Sequence, residues 1–122
     1  MAGAFLINNV PLIAAGDMSA DIISEPQIAQ SQDNLGFGVN WASADAVGVF
    51  SIEVSNDYEP QFPEHTAHWY ALTFSPPLTA PASDNGGFWV DVNQTGATWV
   101  RFKYTRTSGT GTLDVYYSAK AV

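Results

Sequence analysis

Apolar side chains recur at every second position in one segment of this chain after another. Between residues 47 and 54, one face carries Ser51 and Glu53, and the other face is formed by Gly48, Phe50, Ile52 and Val54. Such alternation predicts half-buried β-strands, because successive side chains of a strand point to opposite faces. No window of eleven or more residues keeps the spacing of an amphipathic helix for long. Five further segments alternate in the same way: 37–41, 70–74, 88–92, 100–104 and 113–117.

Turn-forming residues separate these segments. They are Asn56-Asp57, Ser75-Pro76-Pro77, Asp84-Asn85-Gly86-Gly87, Asn93-Gln94-Thr95-Gly96 and Ser108-Gly109-Thr110-Gly111. A chain of 122 residues is most simply one domain. We therefore predict an all-β fold, a single antiparallel β-sandwich of jelly-roll-like topology over residues 19–122. The order in which the strands pair stays open.

Residues 1–18 mix apolar residues with Asn, Gly and Pro, and we predict that they form an extended N-terminal arm. Such an arm can lie along the sheet of its own chain or pair with a neighbouring subunit by strand addition. The segment has no basic residues and is interrupted by Asn8, Asn9 and Pro11, so we expect neither a signal peptide nor a membrane span.

Charge is distributed unevenly along the chain. Residues 1–100 contain eleven acidic residues and no Lys or Arg, whereas residues 101–122 contain four basic residues and Asp114, giving a net charge of −8. This balance argues against nucleic-acid binding, which depends on Lys and Arg neutralising phosphates. It fits a protein that meets neutral or basic partners, and equally a surface that is kept soluble by its charge.

Residues with catalytic or metal-binding chemistry are few. Without cysteine, the chain has no disulfide and no thiol nucleophile. Glu64, His65 and His68 are ligand types for a transition metal, but we favour a solvated loop, because the adjoining sequence predicts extended backbone rather than a helical turn. The Asp84 to Gly87 segment offers oxygen ligands for calcium, yet a tight turn accounts for it better. We predict no metal, no cofactor and no enzymatic activity.

The tryptophans suggest a binding surface instead. We expect Trp41, Trp69, Trp89 and Trp99 to be partly exposed, and Trp89 and Trp99 fall opposite the apolar face of their own strands. Exposed tryptophans can stack on sugar rings or fill pockets in a partner protein, although an arm or neighbouring subunits can also cover them.

A short basic and aromatic stripe occurs late in the chain. Alternation places Val100, Phe102 and Tyr104 on one face, and the opposite face consists of Trp99, Arg101, Lys103 and Thr105. The two positive charges of this stripe can pair with acids on adjacent strands, such as Glu53 or Asp91, or with the acidic face of another copy. We take Trp69, Trp89, Trp99, Arg101 and Lys103 as the predicted interface or ligand surface.

Three stretches, residues 47–59, 68–74 and 97–120, resemble a pattern in small β-sandwich proteins of tailed bacteriophages and related prophage regions. Its most specific part is Val100 to Thr112. The resemblance implies a non-enzymatic virion structural protein that often forms homotrimers. Its roles would be capsid decoration (cement), head fibre or tail-associated module, with phage capsid or tail proteins as partners.

Residues 51–69 also resemble the strand, turn and Trp strand of discoidin-type carbohydrate-binding sandwiches. This second resemblance implies a module for recognising host or surface glycans, and the two roles can coexist on one protein.

Overall fold

The computed structural model describes residues 6–29, 34–42, 45–62, 66–74, 77–80, 85–93 and 96–120, and side chains from residue 9 onwards. All of its regular structure is β-strand. The strands are β1 (Leu6–Asp17), β2 (Ile22–Ile23), β3 (Gln27–Ile28), β4 (Asn34–Ala42), β5 (Val47–Ser55), β6 (Tyr70–Ala71), β7 (Thr79–Ala80), β8 (Gly86–Asn93), β9 (Trp99–Ser108) and β10 (Thr112–Lys120). Within these ranges, no helix is long and apolar enough to cross a membrane.

The strands form two antiparallel sheets. Sheet A has the order β1-β10-β4-β8. In sheet B, β9 lies beside β5, the short strands β2 and β3 pair with the other side of β9, and β6 and β7 pair with the other side of β5. With each pair of short strands counted as one interrupted strand, this is the eight-stranded double sheet of a jelly roll. The predicted antiparallel sandwich is confirmed.

Alternation along each long strand fills the core. The inward residues Gly48, Phe50 and Ile52 of β5 and Val100, Phe102 and Tyr104 of β9 are buried, as the sequence predicts, whereas Val54 of β5 is only partly buried. Aromatic rings connect the two sheets: the ring centroids of Phe37 and Phe102 are 6.3 Å apart. Burial of these large side chains is the main stabilisation of the sandwich.

Trp41 belongs to this core, so the expectation that it is partly exposed was wrong. Its side chain lies on the inward face of β4, with ring centroids 5.4 Å from Phe50 and 6.0 Å from Phe88. Trp41 follows Phe37 and Val39 on the apolar face of β4, so alternation along the strand already indicated the inward position that the expectation of exposure overlooked.

Most of the predicted arm is an edge strand of sheet A. Residues 6–17 form β1 and pair antiparallel with β10 of the same chain. Three register shifts interrupt β1, and Asn9 and Ala15 have φ of 52° and 51°. At both positions the backbone N–H donates to an outward side chain of β10: Asn9 to Ser118 Oγ and Ala15 to Asp114 Oδ1, each at 2.9 Å. These bonds satisfy groups that the bulges remove from the ladder.

Candidate functional site

The five predicted surface residues lie on opposite faces of the sandwich. Trp89 is on β8, on the outer face of sheet A, whereas Trp99, Arg101 and Lys103 of β9 lie on the outer face of sheet B, where Trp69 also packs. The chain therefore presents two separate aromatic surfaces. We call them the B-face cluster (Tyr58, Trp69, Trp99, Arg101 and Glu53) and the A-face platform (Trp89, Gly36, Gly38 and Tyr116).

In the B-face cluster, three aromatic rings pack together and one of them contacts a cation. The Tyr58 ring lies between two tryptophans, with centroids 5.0 Å from Trp99, edge-on, and 5.8 Å from Trp69. The guanidinium carbon of Arg101 is 4.1 Å from the Trp69 ring centre, which is within cation–π range. The long loop that follows β5 thus folds back over sheet B through Tyr58.

Arg101 is also paired with an acid on the adjacent strand. Its Nε donates to Glu53 Oε1 at 2.7 Å, and the two side chains are 21% and 13% exposed. Of the two partners that the sequence suggested, Glu53 is confirmed and Asp91 was wrong. Asp91 lies on β8 of sheet A, and pairing order was not readable from the sequence.

Exposed aliphatic side chains extend the B-face cluster. Ile28 lies opposite Trp99, Ile23 opposite Lys103, and Val49 opposite Thr105, all in register on the outer face of sheet B. Their exposure of 40–52% is high for large apolar residues on a sheet face. These aliphatic side chains lie on β2, β3 and β5, on the two sides of β9, which carries Lys103.

The A-face platform is built on two glycines. Gly36 and Gly38 lie on the outward face of β4, and the six-membered ring of Trp89 covers both of them: a Cβ on Gly36 would clash with that ring, and one on Gly38 would come 3.3 Å from it. Trp89 Nε1 donates to Asp91 Oδ1 at 2.8 Å. The indole therefore lies flat on the backbone of β4 while its other face is open, and the residue is 58% exposed.

Tyr116 completes the platform from the next strand. Tyr116 lies on β10, directly opposite Gly38 of β4, and Trp89 lies on β8, opposite the same glycine from the other side. The Tyr116 side chain is exposed. Beside the indole is a pocket of about 190 Å³, lined by Asn34, Leu35, Gly36, Trp89, Asp91, Ser118, Ala119 and Lys120. The sequence analysis missed Tyr116 and the glycines. The Gly36-x-Gly38 repeat within a strand was the available signal, since glycine in a strand marks a close approach.

Asp57 closes the loop after β5. Its Oδ1 accepts from the Ser55 hydroxyl and from the backbone N–H of His68, both at 2.9 Å, and its Oδ2 lies 2.7 Å from His68 Nδ1. These hydrogen bonds hold the pKa of the Asp57 carboxyl well below its usual range, with the His68 side chain as the largest cause. A groove of about 330 Å³ lies beside the pair, lined by residues that include Asn56 and Tyr70.

Some of the candidate metal ligands from the sequence lie among the residues that the structure describes, and others do not. Glu64, His65 and Asp84 lie outside the described residues. His68 is paired with Asp57, and among the residues that the structure describes no three metal-ligating side chains come together.

Comparison with solved structures gives a match over nearly the full length of the chain. No family model matches the chain, and no curated protein matches it by sequence. A structural match covers 99% of this chain and 97% of the other, with a TM-score of 0.59 and 8% sequence identity. The matched structure is that of the SPBc2 prophage-derived protein YomS, and the fold of this chain is similar to it. At this identity the similarity is one of fold, and it extends over essentially the whole of both chains.

Proposed function

We propose that the chain is a phage-encoded, non-enzymatic structural protein that forms part of a virion. The observation that carries this proposal is the end-to-end similarity in fold to a prophage-derived protein. The proposed roles are those implied by the sequence resemblance: capsid decoration, head fibre or tail-associated module.

The outer face of sheet B is the proposed assembly surface. Aromatic residues and Arg are enriched at the centres of protein interfaces, and the B-face cluster has this composition. Around it, Ile23, Ile28 and Val49 remain exposed, and several exposed large apolar side chains on one face are typical of an interaction site. We propose that this face contacts further copies of the chain, as a homotrimer, and a capsid or tail protein.

The charges on this face favour one orientation of neighbouring copies relative to each other. Arg101 is neutralised by Glu53 within the chain, whereas Lys103 has no ion-pair partner among the described residues. In a cyclic trimer each interface joins two different surfaces of neighbouring copies. Lys103 on the apolar face of one copy would then meet the acidic surface of the next, which sets register more than affinity.

The His–Asp pair described above has a structural explanation that requires no enzymatic role. A catalytic dyad needs an imidazole that is oriented toward a substrate position and a nucleophile or water that it can activate. Here Asp57 is used to join the two ends of the loop, through Ser55 on one side and both the backbone and the side chain of His68 on the other.

The direct test is whether the protein is found in particles. Virions from the phage or lysogen that encodes the chain would be purified on a density gradient and immunoblotted with an antibody against it. We expect the protein to co-sediment with the major capsid protein at a fixed ratio. A protein confined to the soluble cell fraction, with none in the particles, would contradict the proposal.

A second candidate function is carbohydrate binding, and one observation favours it. Trp89 holds a flat, open indole face on the side of the sandwich opposite the proposed assembly surface. Aromatic faces of this kind can stack against the apolar faces of sugar rings. A virion protein can carry both surfaces, with one attached to the particle and the other facing host glycans.

A further inference from the structure

We propose that the A-face platform is a binding subsite for one neutral pyranose ring of a glycan, with the sugar stacked on Trp89. This inference rests on the second candidate function and assigns it a place and a ligand class. A pyranose with several axial C–H bonds on one face presents a flat apolar surface, while its hydroxyls point outward along the ring edge. The site must therefore combine a flat aromatic floor with polar groups around it.

The floor is fixed before any ligand arrives. The ring of Trp89 contacts Gly36 and Gly38 on its inner face, and Nε1 is bonded to Asp91, so both the tilt and the rotation of the indole are set. Side chains that are ordered only on binding cost conformational entropy, and a ring held in this way avoids most of that cost. Tyr116 extends the aromatic surface on the far side of Gly38.

The polar groups around the floor suit hydroxyl ligands. Asp91 lines the pocket, and its carboxylate, which accepts from Trp89 through Oδ1, has further acceptor capacity for a hydroxyl. Ser118 Oγ accepts from the Asn9 N–H, so its own hydroxyl hydrogen remains to donate. Asn34 and Lys120 line the same pocket and add an amide and an ammonium.

The charges of the site favour a neutral sugar. One carboxylate, Asp91, and one ammonium, Lys120, line the pocket, so their charges cancel locally. The whole chain carries −8, which repels an acidic saccharide at longer range.

The size of the platform favours a sugar over a protein. Trp89 and Tyr116 are the exposed large apolar side chains that we find on this face, and together they present roughly 200 Å². A stable protein interface buries about 800 Å² on each partner. The outer face of sheet B, with its wider apolar surface, fits a protein partner better.

The first experiment compares two exposed aromatic residues. Wild-type protein would be screened on an array of neutral gluco-, galacto-, manno- and N-acetylated pyranosides, and the best-bound oligosaccharide would be titrated calorimetrically. We expect Trp89→Ala to weaken binding about ten-fold or more, with the far-UV circular dichroism unchanged. Phe62→Ala, at an exposed aromatic residue in the loop after β5, should bind as the wild type does.

The second experiment keeps Trp89 and changes only what lies beneath it. Gly36→Ala places a methyl group against the indole and should lift it, lowering affinity several-fold. Gly38→Ala meets the ring at 3.3 Å, so a small adjustment of the side chain accommodates it and affinity should be nearly unchanged. Equal effects of the two substitutions would contradict a platform set by the position of the indole.

The outcomes distinguish a failure of the Trp89 subsite from a failure of the carbohydrate-binding proposal as a whole. Glycan binding that persists in Trp89→Ala, or that is lost in Trp69→Ala instead, overturns the subsite and leaves carbohydrate binding intact. No binding to any glycan on the array overturns both. If Trp89→Ala lowers the molar mass of an oligomer, the platform is a protein interface, and the subsite is overturned in favour of self-assembly.

Discussion

The guanidinium of Arg101 lies over the ring of Trp69, 4.1 Å from its centre, while its Nε is bonded to Glu53. One side chain thus connects β9, β5 and the segment that precedes β6. Because both charges are mostly shielded from water, removing one partner leaves the other partly buried and unpaired, which costs more than breaking an exposed pair.

We therefore expect Arg101→Met to lower the free energy of unfolding by about 2 kcal/mol, since Glu53 would remain partly buried without a partner. Lys103→Met, two residues along the same face, should change it by less than about 0.5 kcal/mol. Urea denaturation measures both. The double variant Arg101→Met with Glu53→Gln should recover part of the loss, and additive effects of the two substitutions would argue against a coupled pair.

Two buried tyrosines differ in one respect, which makes them a matched pair. Tyr117 donates its hydroxyl to the carbonyl of Ile28 at 3.0 Å, a bond that joins the two sheets. The hydroxyl of Tyr104 has no partner among the described residues. Tyr117→Phe should destabilise the protein by about 1 kcal/mol, and Tyr104→Phe should be neutral or stabilising by a similar amount. A larger loss in Tyr104→Phe than in Tyr117→Phe, by chemical denaturation, would show that the Tyr104 hydroxyl is satisfied after all.

Stability should fall at high pH because of the same residues. Burial raises the pKa of Tyr117 to about 12 and also raises the pKa of Tyr104. A tyrosine in the unfolded chain has a pKa near 10, so it ionises at lower pH than the buried tyrosine of the folded chain. Ionisation therefore favours the unfolded state as the pH rises above 10. The stabilisation by Tyr117 is complete below pH 10 and is lost as the pH rises from 10 to 12, by roughly 3 kcal/mol.

The check is urea denaturation at pH 8, 10 and 11.5 on the wild type and on Tyr117→Phe. The drop above pH 10 should be clearly smaller in the variant. Parallel pH dependences in the two proteins would mean that Tyr117 does not contribute to it.

The turn between β9 and β10 depends on a glycine with little space around it. Gly109 has a φ of 80°, and an added Cβ would clash with the backbone of Asp45 and Ala46. Gly96 has a φ of 72°, but no described atom lies within 4 Å of the place of its Cβ. Gly96→Ala should therefore cost only the backbone term of about 1 kcal/mol, and Gly109→Ala at least about 3 kcal/mol. Thermal denaturation would measure both, and equal losses would contradict the close contact at Gly109.

Much of the fold could be predicted from alternation, because burial in a strand has a period of two. Phe50, Ile52, Phe102 and Tyr104 were placed inward by this rule, and they are. Pairing order could not be predicted in the same way, since it depends on contacts between residues far apart in sequence. The suggested pairing of the basic stripe with Asp91 failed for this reason.

The surfaces were only partly predictable. Alternation placed Trp89 and Trp99 outward, but it could not show that they belong to different sheets and face away from each other. The A-face platform also required knowing that Gly36 and Gly38 lie beneath Trp89, which is a cross-strand relationship. A motif search along the chain does not bring these residues together.

Assembly through the outer face of sheet B, as proposed above, is tested most directly by the molar mass of the protein in solution. Size-exclusion chromatography with light scattering would be run on the wild type, on Ile28→Glu and on Trp89→Ala. We expect the wild type and Trp89→Ala to share a mass that is a multiple of the 13.1 kDa chain, three-fold for a trimer, and Ile28→Glu to fall to 13.1 kDa while remaining folded. A wild-type protein that stays at 13.1 kDa at all concentrations, or an Ile28→Glu variant that keeps the full oligomer mass, would contradict the claim.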